Sequence, residues 1–120
     1  HNKNYYKKYK KWCDEYFYLP HRKESRGIGG IFFDYKKNNF EKDFQFVRDV
    51  GVTFQLIFNK IIRKKIKKKW TIKDKEMQYI KRGRYTEFNL LYDRGTKFGL
   101  QTAGNVEGIL MSLPPLAKWK

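Results

Sequence analysis

The sequence has very little cysteine and no long apolar run. Cys13 is the only cysteine among 120 residues. An internal disulfide and a cysteine-based zinc cluster are therefore both excluded within this chain, and a reducing compartment is compatible. No uncharged apolar stretch reaches about 18 residues, so we predict no transmembrane segment. The first residues also lack the charged, apolar and small-residue order of a signal peptide.

Acidic residues are scarce beside basic ones. Asp and Glu number 12 against 28 Lys and Arg, which gives a formal charge of +16. This charge favours an anionic ligand, nucleic acid or an acidic membrane face, without choosing among them. Much of the excess lies in residues 7–11 and 63–69. These lysine runs are either solvated faces shaped by an AT-biased genome or a phosphate-binding stripe, which makes a basic nucleic-acid-binding module the alternative function.

Bulky apolar residues are abundant in spite of the charge. Hydrophobic residues make up 40% of the chain and aromatic residues 18%. That is too much apolar surface for a disordered chain, although a chain of this length supports one core at most. We therefore predict a single domain over residues 1–120 that folds when its missing partners are present.

The spacing of apolar residues predicts two long helices. Large apolar residues recur at three- and four-residue steps in residues 5–19, and Pro20 ends that helix. The second helix is capped by one of the asparagines at 38–39 and covers residues 40–66. Gly51 interrupts it, which indicates a bend or close packing at that point.

Three segments have the composition of β-strands. Residues 27–34 combine three glycines with a β-branched and aromatic run, which predicts a buried strand entered through a tight backbone. Residues 84–93 alternate with a period of two, and residues 96–102 are predicted to return as the second strand of an antiparallel hairpin. Asp93 and Arg94 would then lie at the hairpin tip.

Two further segments complete the chain. Residues 71–74 resemble a capping box, and they predict a short helix that Gly83 ends. The apolar residues 109–115 finish in two prolines, which cannot continue a helix or a central strand. We expect this tail to pack against a partner surface.

Three blocks of residues resemble the oxygen-dependent coproporphyrinogen III oxidase family. The first comprises YKKWCDEYF at 9–17, HR at 21–22 and RGIGGIFFD at 26–34. The second comprises RGRY at 82–85, EFNL at 87–90, DRGT at 93–96 and FGL at 98–100, and the third is ILMSLPPLA at 109–117. Only the region around residues 40–75 diverges. The resemblance implies an α+β fold, with an antiparallel sheet flanked by helices, of which this chain supplies the C-terminal part of the catalytic domain.

The resemblance also implies a set of site residues. The family's substrate, coproporphyrinogen III, is a tetrapyrrole with four propionates and four pyrrole N–H groups. Asp93 would accept hydrogen bonds from the N–H groups and Arg94 would assist it, whereas Arg22 and Arg26 would grip propionates through paired charge-assisted bonds. The alternatives are that the two arginines form surface ion pairs with Glu24 and that Asp93 is a turn aspartate bonded to the backbone.

Further substrate contacts are implied near the end of the chain. Lys97 matches a position where a basic residue can occur in the family, with a structural or a propionate-facing role. Ala103, Gly104 and Asn105 lie where relatives have a substrate-contacting segment, and this segment departs from the family pattern. Asn105 stands where relatives usually carry arginine, and Gly108 stands where they carry serine. A neutral amide offers only single hydrogen bonds, so we expect the affinity or orientation of one propionate to differ.

The resemblance implies dioxygen as co-substrate and no required metal or organic cofactor. Manganese is the alternative, with His21 as the candidate ligand, because some bacterial relatives are described with metal at the matching position. A lone histidine is more often a hydrogen-bonded core residue than a metal ligand. We therefore predict that no metal is bound.

The implied reaction is the oxidative decarboxylation of two propionates of coproporphyrinogen III to vinyl groups, which gives protoporphyrinogen IX in haem biosynthesis. We expect this chain to be inactive by itself. The implied partner is a second copy, bound through residues 85–119, with no nucleic acid. The expected compartment is the cytoplasm, or alternatively the mitochondrial intermembrane space.

Overall fold

The computed structural model describes residues 1–120 as five helices and one short pair of strands. These elements are α1 (Tyr5–Tyr16), β1 (Tyr18–Leu19), β2 (Glu24–Ser25), α2 (Phe40–Lys65), α3 (Ile72–Leu91), α4 (Arg94–Gln101) and α5 (Val106–Leu110). The architecture is thus mostly helical, and the predicted sheet is reduced to the antiparallel pair β1–β2. No helix is both long enough and apolar enough to cross a membrane.

The first helix is three residues shorter than predicted. Its chain turns into β1, which pairs with β2 through Tyr18 opposite Ser25 and Leu19 opposite Glu24. Pro20 lies in the turn between the two strands, where its fixed φ and missing N–H favour a turn over a helix. Leu19 is fully buried, so this small hairpin packs against the rest of the chain.

The second helix confirms the predicted cap and extent. Oδ1 of Asn39 accepts a hydrogen bond of 3.0 Å from the Lys42 N–H, which satisfies one of the free donors at the helix start. The helix continues through Gly51, where an added Cβ would meet nothing within 4 Å, so close packing does not explain that glycine. Phe46 is the only buried residue of α2, and residues 51–70 are all exposed.

Residues 27–34 do not form the predicted buried strand. They follow α1 as an irregular segment, and residues 27–31 are exposed. The Phe32 N–H donates to the Tyr9 carbonyl at 3.1 Å, which ties the segment to α1. The sheet in this chain is limited to the two-residue strands β1 and β2, and residues 27–34 add no third strand to it.

The predicted hairpin over residues 84–102 is wrong, because α3 and α4 occupy it. Within α3 the polar members of the alternating pattern bond back to the preceding helical turn. Oγ1 of Thr86 donates to the Arg82 carbonyl at 3.1 Å, and Nδ2 of Asn89 donates to the Tyr85 carbonyl at 2.9 Å. A period-two pattern of this length is therefore compatible with a helix whose polar groups are satisfied internally.

The predicted capping box is present at the start of α3. Oγ1 of Thr71 accepts from the Asp74 N–H at 3.2 Å, and the Asp74 carboxylate accepts from the Thr71 N–H at 2.8 Å. This complete capping box nucleates the helix, after which each added residue costs little. Gly83 does not end the helix as predicted. It is buried inside α3, facing the backbone of Lys118.

Two aromatic clusters form the core, and both involve α1. Ring centroids lie 4.8 to 5.7 Å apart in the first cluster and 4.8 to 5.6 Å apart in the second. The first contains Tyr5, Tyr9, Phe33 and Phe46, and the second contains Tyr16, Phe17, Phe32 and Phe88. Only 7 of 120 residues are buried, so much of the apolar surface faces outward.

We predict opposite effects from alanine at the two glycines that lie inside long helices. Gly83→Ala places a methyl group against the Lys118 carbonyl oxygen, a backbone atom that cannot move alone. The free energy of unfolding should fall by about 1 to 3 kcal/mol. Gly51→Ala, the control, meets open space and should raise helix stability by about 0.5 to 1 kcal/mol. Urea unfolding followed by far-UV circular dichroism measures both, and an unchanged Gly83→Ala midpoint contradicts the packing described for α3.

Candidate active site

The carboxylate of Glu87, on α3, is the centre of the main charged cluster. The two oxygens of Glu87 accept hydrogen bonds from Nε of Arg22 at 3.0 Å and from Nη2 of Arg22 at 2.6 Å. Only 10% of the Glu87 side chain is exposed. These bonds lower the pKa of Glu87 from its ordinary 4.5 to about 2, against the opposing effect of burial.

His21 and Tyr92 extend this cluster. Nε2 of His21 lies 2.9 Å from the Glu87 carboxylate, and Nδ1 lies 2.8 Å from the Tyr92 hydroxyl. Because an ionised carboxylate only accepts, Nε2 of a neutral imidazole carries the proton and Tyr92 donates to Nδ1. Both ring nitrogens of the candidate metal ligand are therefore engaged within the chain. No group of three or more His, Cys, Asp or Glu side chains is placed to hold a metal ion.

Glu24 forms a second ion-paired group beside the first. It pairs with Nε of Arg84 and, at 3.1 Å, with Nζ of Lys81. The bond from Arg84, followed by that from Lys81, lowers the pKa of Glu24. The predicted alternative, an ion pair of Glu24 with Arg22 or Arg26, is wrong, because Glu24 has α3 partners instead.

Arg26 has aromatic rings rather than a carboxylate as neighbours. Its guanidinium carbon lies 4.2 Å from the ring centroid of Phe17, 5.0 Å from that of Tyr85 and 5.4 Å from that of Phe88. Burial lowers the pKa of Arg26, while nearby groups that include Asp93 oppose that shift. Nε of Arg26 is buried without a hydrogen-bond acceptor.

Asp93 lies at the start of α4, not at a hairpin tip. One carboxylate oxygen accepts from the Thr96 N–H at 2.7 Å, and the other accepts from the Tyr16 hydroxyl at 3.2 Å. The Tyr16 ring packs against Phe88, whose ring also lies beside Arg26. The predicted alternative, an aspartate bonded to nearby backbone, agrees with the contact to the Thr96 N–H. The bond from Tyr16 additionally connects Asp93 to the aromatic cluster.

Arg94 is exposed and pairs with Asp34 rather than with Asp93. Its Nη2 donates to the Asp34 carboxylate at 3.1 Å, and its guanidinium carbon lies 5.0 Å from the Tyr16 ring centroid. Asp34 also lines a cavity of about 960 Å³ with aromatic residues such as Tyr9 and Trp12. No predicted site residue lines that cavity.

The remaining predicted contacts lie apart from these arginines. Lys97 is exposed on α4, and Ala103 adopts a left-handed conformation with φ of 54° after that helix. The Gly104 N–H donates to the Gly99 carbonyl at 3.0 Å. Asn105 caps α5, because its Oδ1 accepts from the Gly108 N–H at 3.2 Å. The side chains of Lys97, Ala103 and Asn105 make no hydrogen bond or ion pair to the arginines.

Sequence reasoning missed Glu87, Arg84, Tyr16 and Tyr92 as parts of the site. The signal available was the spacing of Arg84 and Glu87, three residues apart, which places opposite charges together only on a helix. Once residues 84–93 are assigned to a strand, that spacing puts the two side chains on opposite faces. The secondary-structure error therefore concealed the charged cluster.

Comparison with known proteins gives a consistent result over the whole chain. A family model described as Coproporphyrinogen III oxidase matches residues 1–120. The oxygen-dependent coproporphyrinogen-III oxidases of Rickettsia rickettsii (strain Sheila Smith) and Rickettsia bellii (strain OSU 85-389) are both 62% identical to this chain over 120 residues. That of Rickettsia akari (strain Hartford) is 61% identical. In each case the match covers 99% of this chain and 43% of the relative. The chain thus spans less than half the length of these relatives, and none of these matches supports the nucleic-acid alternative.

We predict that Glu87 contributes a pH-dependent part of the stability. Its carboxylate is favoured in the folded state, so the contribution is fully present above the ordinary pKa of 4.5 and is lost as the pH falls towards about 2. Glu87→Gln should lower the free energy of unfolding at neutral pH by about 2 kcal/mol. The free energy of unfolding of this variant should also change less with pH between about pH 5 and pH 2 than that of the wild type.

Urea unfolding at a series of pH values measures this difference. Glu15→Gln is the matched control, because Glu15 forms an exposed pair with Lys11 at 3.7 Å and should contribute little. Parallel pH profiles for wild type and Glu87→Gln would rule out the proposed role of the buried carboxylate.

Proposed function

The chain belongs to the coproporphyrinogen III oxidase family, and we propose that it is the C-terminal part of an oxygen-dependent coproporphyrinogen III oxidase. In the proposed reaction two propionates of coproporphyrinogen III each lose carbon dioxide and a β-hydrogen. For each propionate one dioxygen accepts two electrons and, with two protons, leaves as hydrogen peroxide, so two vinyl groups remain and the product is protoporphyrinogen IX. The observation that carries the proposal is the family match along residues 1–120, together with relatives 62% identical over the same length.

We assign the catalytic roles to Asp93 and Arg94. Asp93 would accept hydrogen bonds from pyrrole N–H groups and so activate the electron-rich ring towards dioxygen. Each of its oxygens accepts one bond within the chain, from Thr96 or Tyr16, and retains a lone pair for a ligand. Arg94 would supply positive charge beside the ring. Its exposed guanidinium has one carboxylate partner, Asp34, and keeps further N–H groups free.

We assign substrate binding to the remaining predicted residues. Arg22 and Arg26 are the two candidates for binding propionates, and Arg22 already has a carboxylate partner in Glu87. Lys97 and the loop at residues 103–105 would contribute weaker contacts at the edge of the site. The amide of Asn105 already caps α5 through its oxygen, so its free N–H₂ group is what remains for a carboxylate.

We propose that the reaction needs no resident metal or organic cofactor. Manganese bound by His21 is the alternative, and the geometry argues against this ligand. His21 would have to release either Glu87 or Tyr92 before one of its nitrogens could bind a metal. The electron-rich substrate itself supplies the electrons that dioxygen accepts, so the proposed reaction needs no separate reductant.

We further propose a homodimer that uses residues 85–119, and a cytoplasmic location. Apolar side chains of this region are exposed, among them Phe98, Met111 and Trp119. Such a surface favours a partner. The relatives come from bacteria, which lack mitochondria, and this favours the cytoplasm over an intermembrane space.

Oxygen dependence is the first test of the proposed reaction. We expect the full-length protein to convert coproporphyrinogen III to a divinyl product under air and to make none under argon. Product formation is measured by chromatography after oxidation to the porphyrins. The same amount of divinyl product under argon as under air, or no product under air, would contradict the proposed function.

The role of Asp93 is tested by Asp93→Asn in the full-length protein. Asparagine caps a helix as well as aspartate does, so α4 should remain intact while the charge is lost. We expect kcat to fall by about 100-fold or more if the carboxylate acts on the pyrroles. Asp74→Asn is the control, because it removes the same charge from the capping box at the start of α3, where Asp74 accepts from the Thr71 N–H. Equal turnover in the two variants would show that Asp93 has only a structural role.

A further inference from the structure

Arg22, in the turn between β1 and β2, and Arg26, directly after β2, differ in their partners, although the family resemblance gives them the same role. Nε and Nη2 of Arg22 both donate to the Glu87 carboxylate, and its Nη1 donates to the Lys120 carbonyl at 2.9 Å. A carboxylate therefore neutralises its charge, and three of its five N–H groups are already used.

Arg26 forms no ion pair with any Asp or Glu of this chain. Glu24, the nearest acidic residue in sequence, is taken by Arg84 and Lys81. The Nε atom of Arg26 is shielded from water and has no acceptor. A buried charged donor without an acceptor is costly, and Arg26 lacks the carboxylate compensation that Glu87 gives to Arg22.

The surroundings of Arg26 limit what such a ligand can be. Its guanidinium stacks on the aromatic faces of Phe17 and Tyr85 and its Nε is buried, so the two terminal NH₂ groups are the donors that remain for a ligand. Arg26 also lines a cleft of about 280 Å³ with the glycines of residues 27–30 and with Phe32. That space is small for a whole macrocycle and suits one carboxylate arm.

We propose that Arg26, not Arg22, is the guanidinium that determines specificity for a propionate carboxylate. Glu87 is a positioning residue, which withdraws Arg22 from that role by holding its Nε–Nη2 edge. This inference rests on the proposed function, because the substrate supplies the carboxylate. It assigns unequal roles to two arginines that the sequence does not distinguish.

Binding of coproporphyrin III to the full-length protein tests the proposal. This oxidised, fluorescent porphyrin keeps the four propionates, and quenching of its fluorescence gives Kd without turnover. Arg26→Gln should weaken binding by about tenfold or more, whereas Arg22→Gln should change Kd by less than about threefold. In a Glu87→Gln background the released Arg22 becomes a second anion site, so there Arg22→Gln should weaken binding more than it does in wild type.

Lysine variants keep the test decisive if a glutamine variant fails to fold. Arg26→Lys retains the charge and loses the planar fork, so it should weaken binding more than Arg22→Lys, with circular dichroism confirming that both are folded. Equal losses at the two positions, or a larger loss at Arg22, overturn the proposal.

The same samples separate this inference from the proposed reaction. Wild-type protein that makes vinyl product under air but shows the reverse order of arginine effects overturns only the inference. Protein that shows the predicted order in binding but makes no product overturns only the proposed function.

Discussion

The ion pair between Glu87 and Arg22 joins the two halves of the chain. Glu87 lies on α3, and Arg22 lies in the turn between β1 and β2, 65 residues away in sequence. The adjacent pair of Glu24 with Arg84 makes a second connection of the same kind. Next to Glu87, Phe88 is almost fully buried against Tyr16 and Phe17. Because the Glu87 carboxylate is shielded from water, removal of Arg22 would leave its charge without compensation.

This junction also organises the candidate site. Arg22 and His21 are held on Glu87, whereas Arg26 rests on the aromatic residues beside it. Tyr16 belongs to the same aromatic cluster and donates to Asp93 at the start of α4. The groups that the family resemblance implies for propionates and for pyrrole nitrogens thus surround the C-terminal half of α3, and one packed helix sets their separation.

The rest of the chain lacks a comparable core. The apolar stripe of α2 beyond Gly51, with residues such as Phe54, Ile57 and Ile61, is exposed beside its lysines. The chain corresponds to 43% of the length of its relatives. An apolar surface of this extent is typical of a segment that packs against further protein, which accords with the proposal that activity belongs to the intact enzyme.

Local sequence signals determined much of the helical structure and the identity of the family. The caps at Asn39 and Thr71 depend on residues three positions away, so near neighbours suffice to predict them. The family blocks likewise named Arg22, Arg26, Asp93 and Arg94, although their roles stay predictions. What the sequence could not decide was whether residues 84–102 form strands or helices. A short alternating pattern is compatible with both, and the capping box of α3 and the packing of Gly83 on Lys118 favour the helix.

Only the tertiary structure decided which carboxylate neutralises which arginine. The choice of Glu87 for Arg22, and of Glu24 for Arg84, depends on contacts across 60 or more residues. Composition and spacing show that the charges exist. Their pairing follows from how α3 and the β1–β2 hairpin pack, because an ion pair is set by distance and shielding from water rather than by separation along the chain.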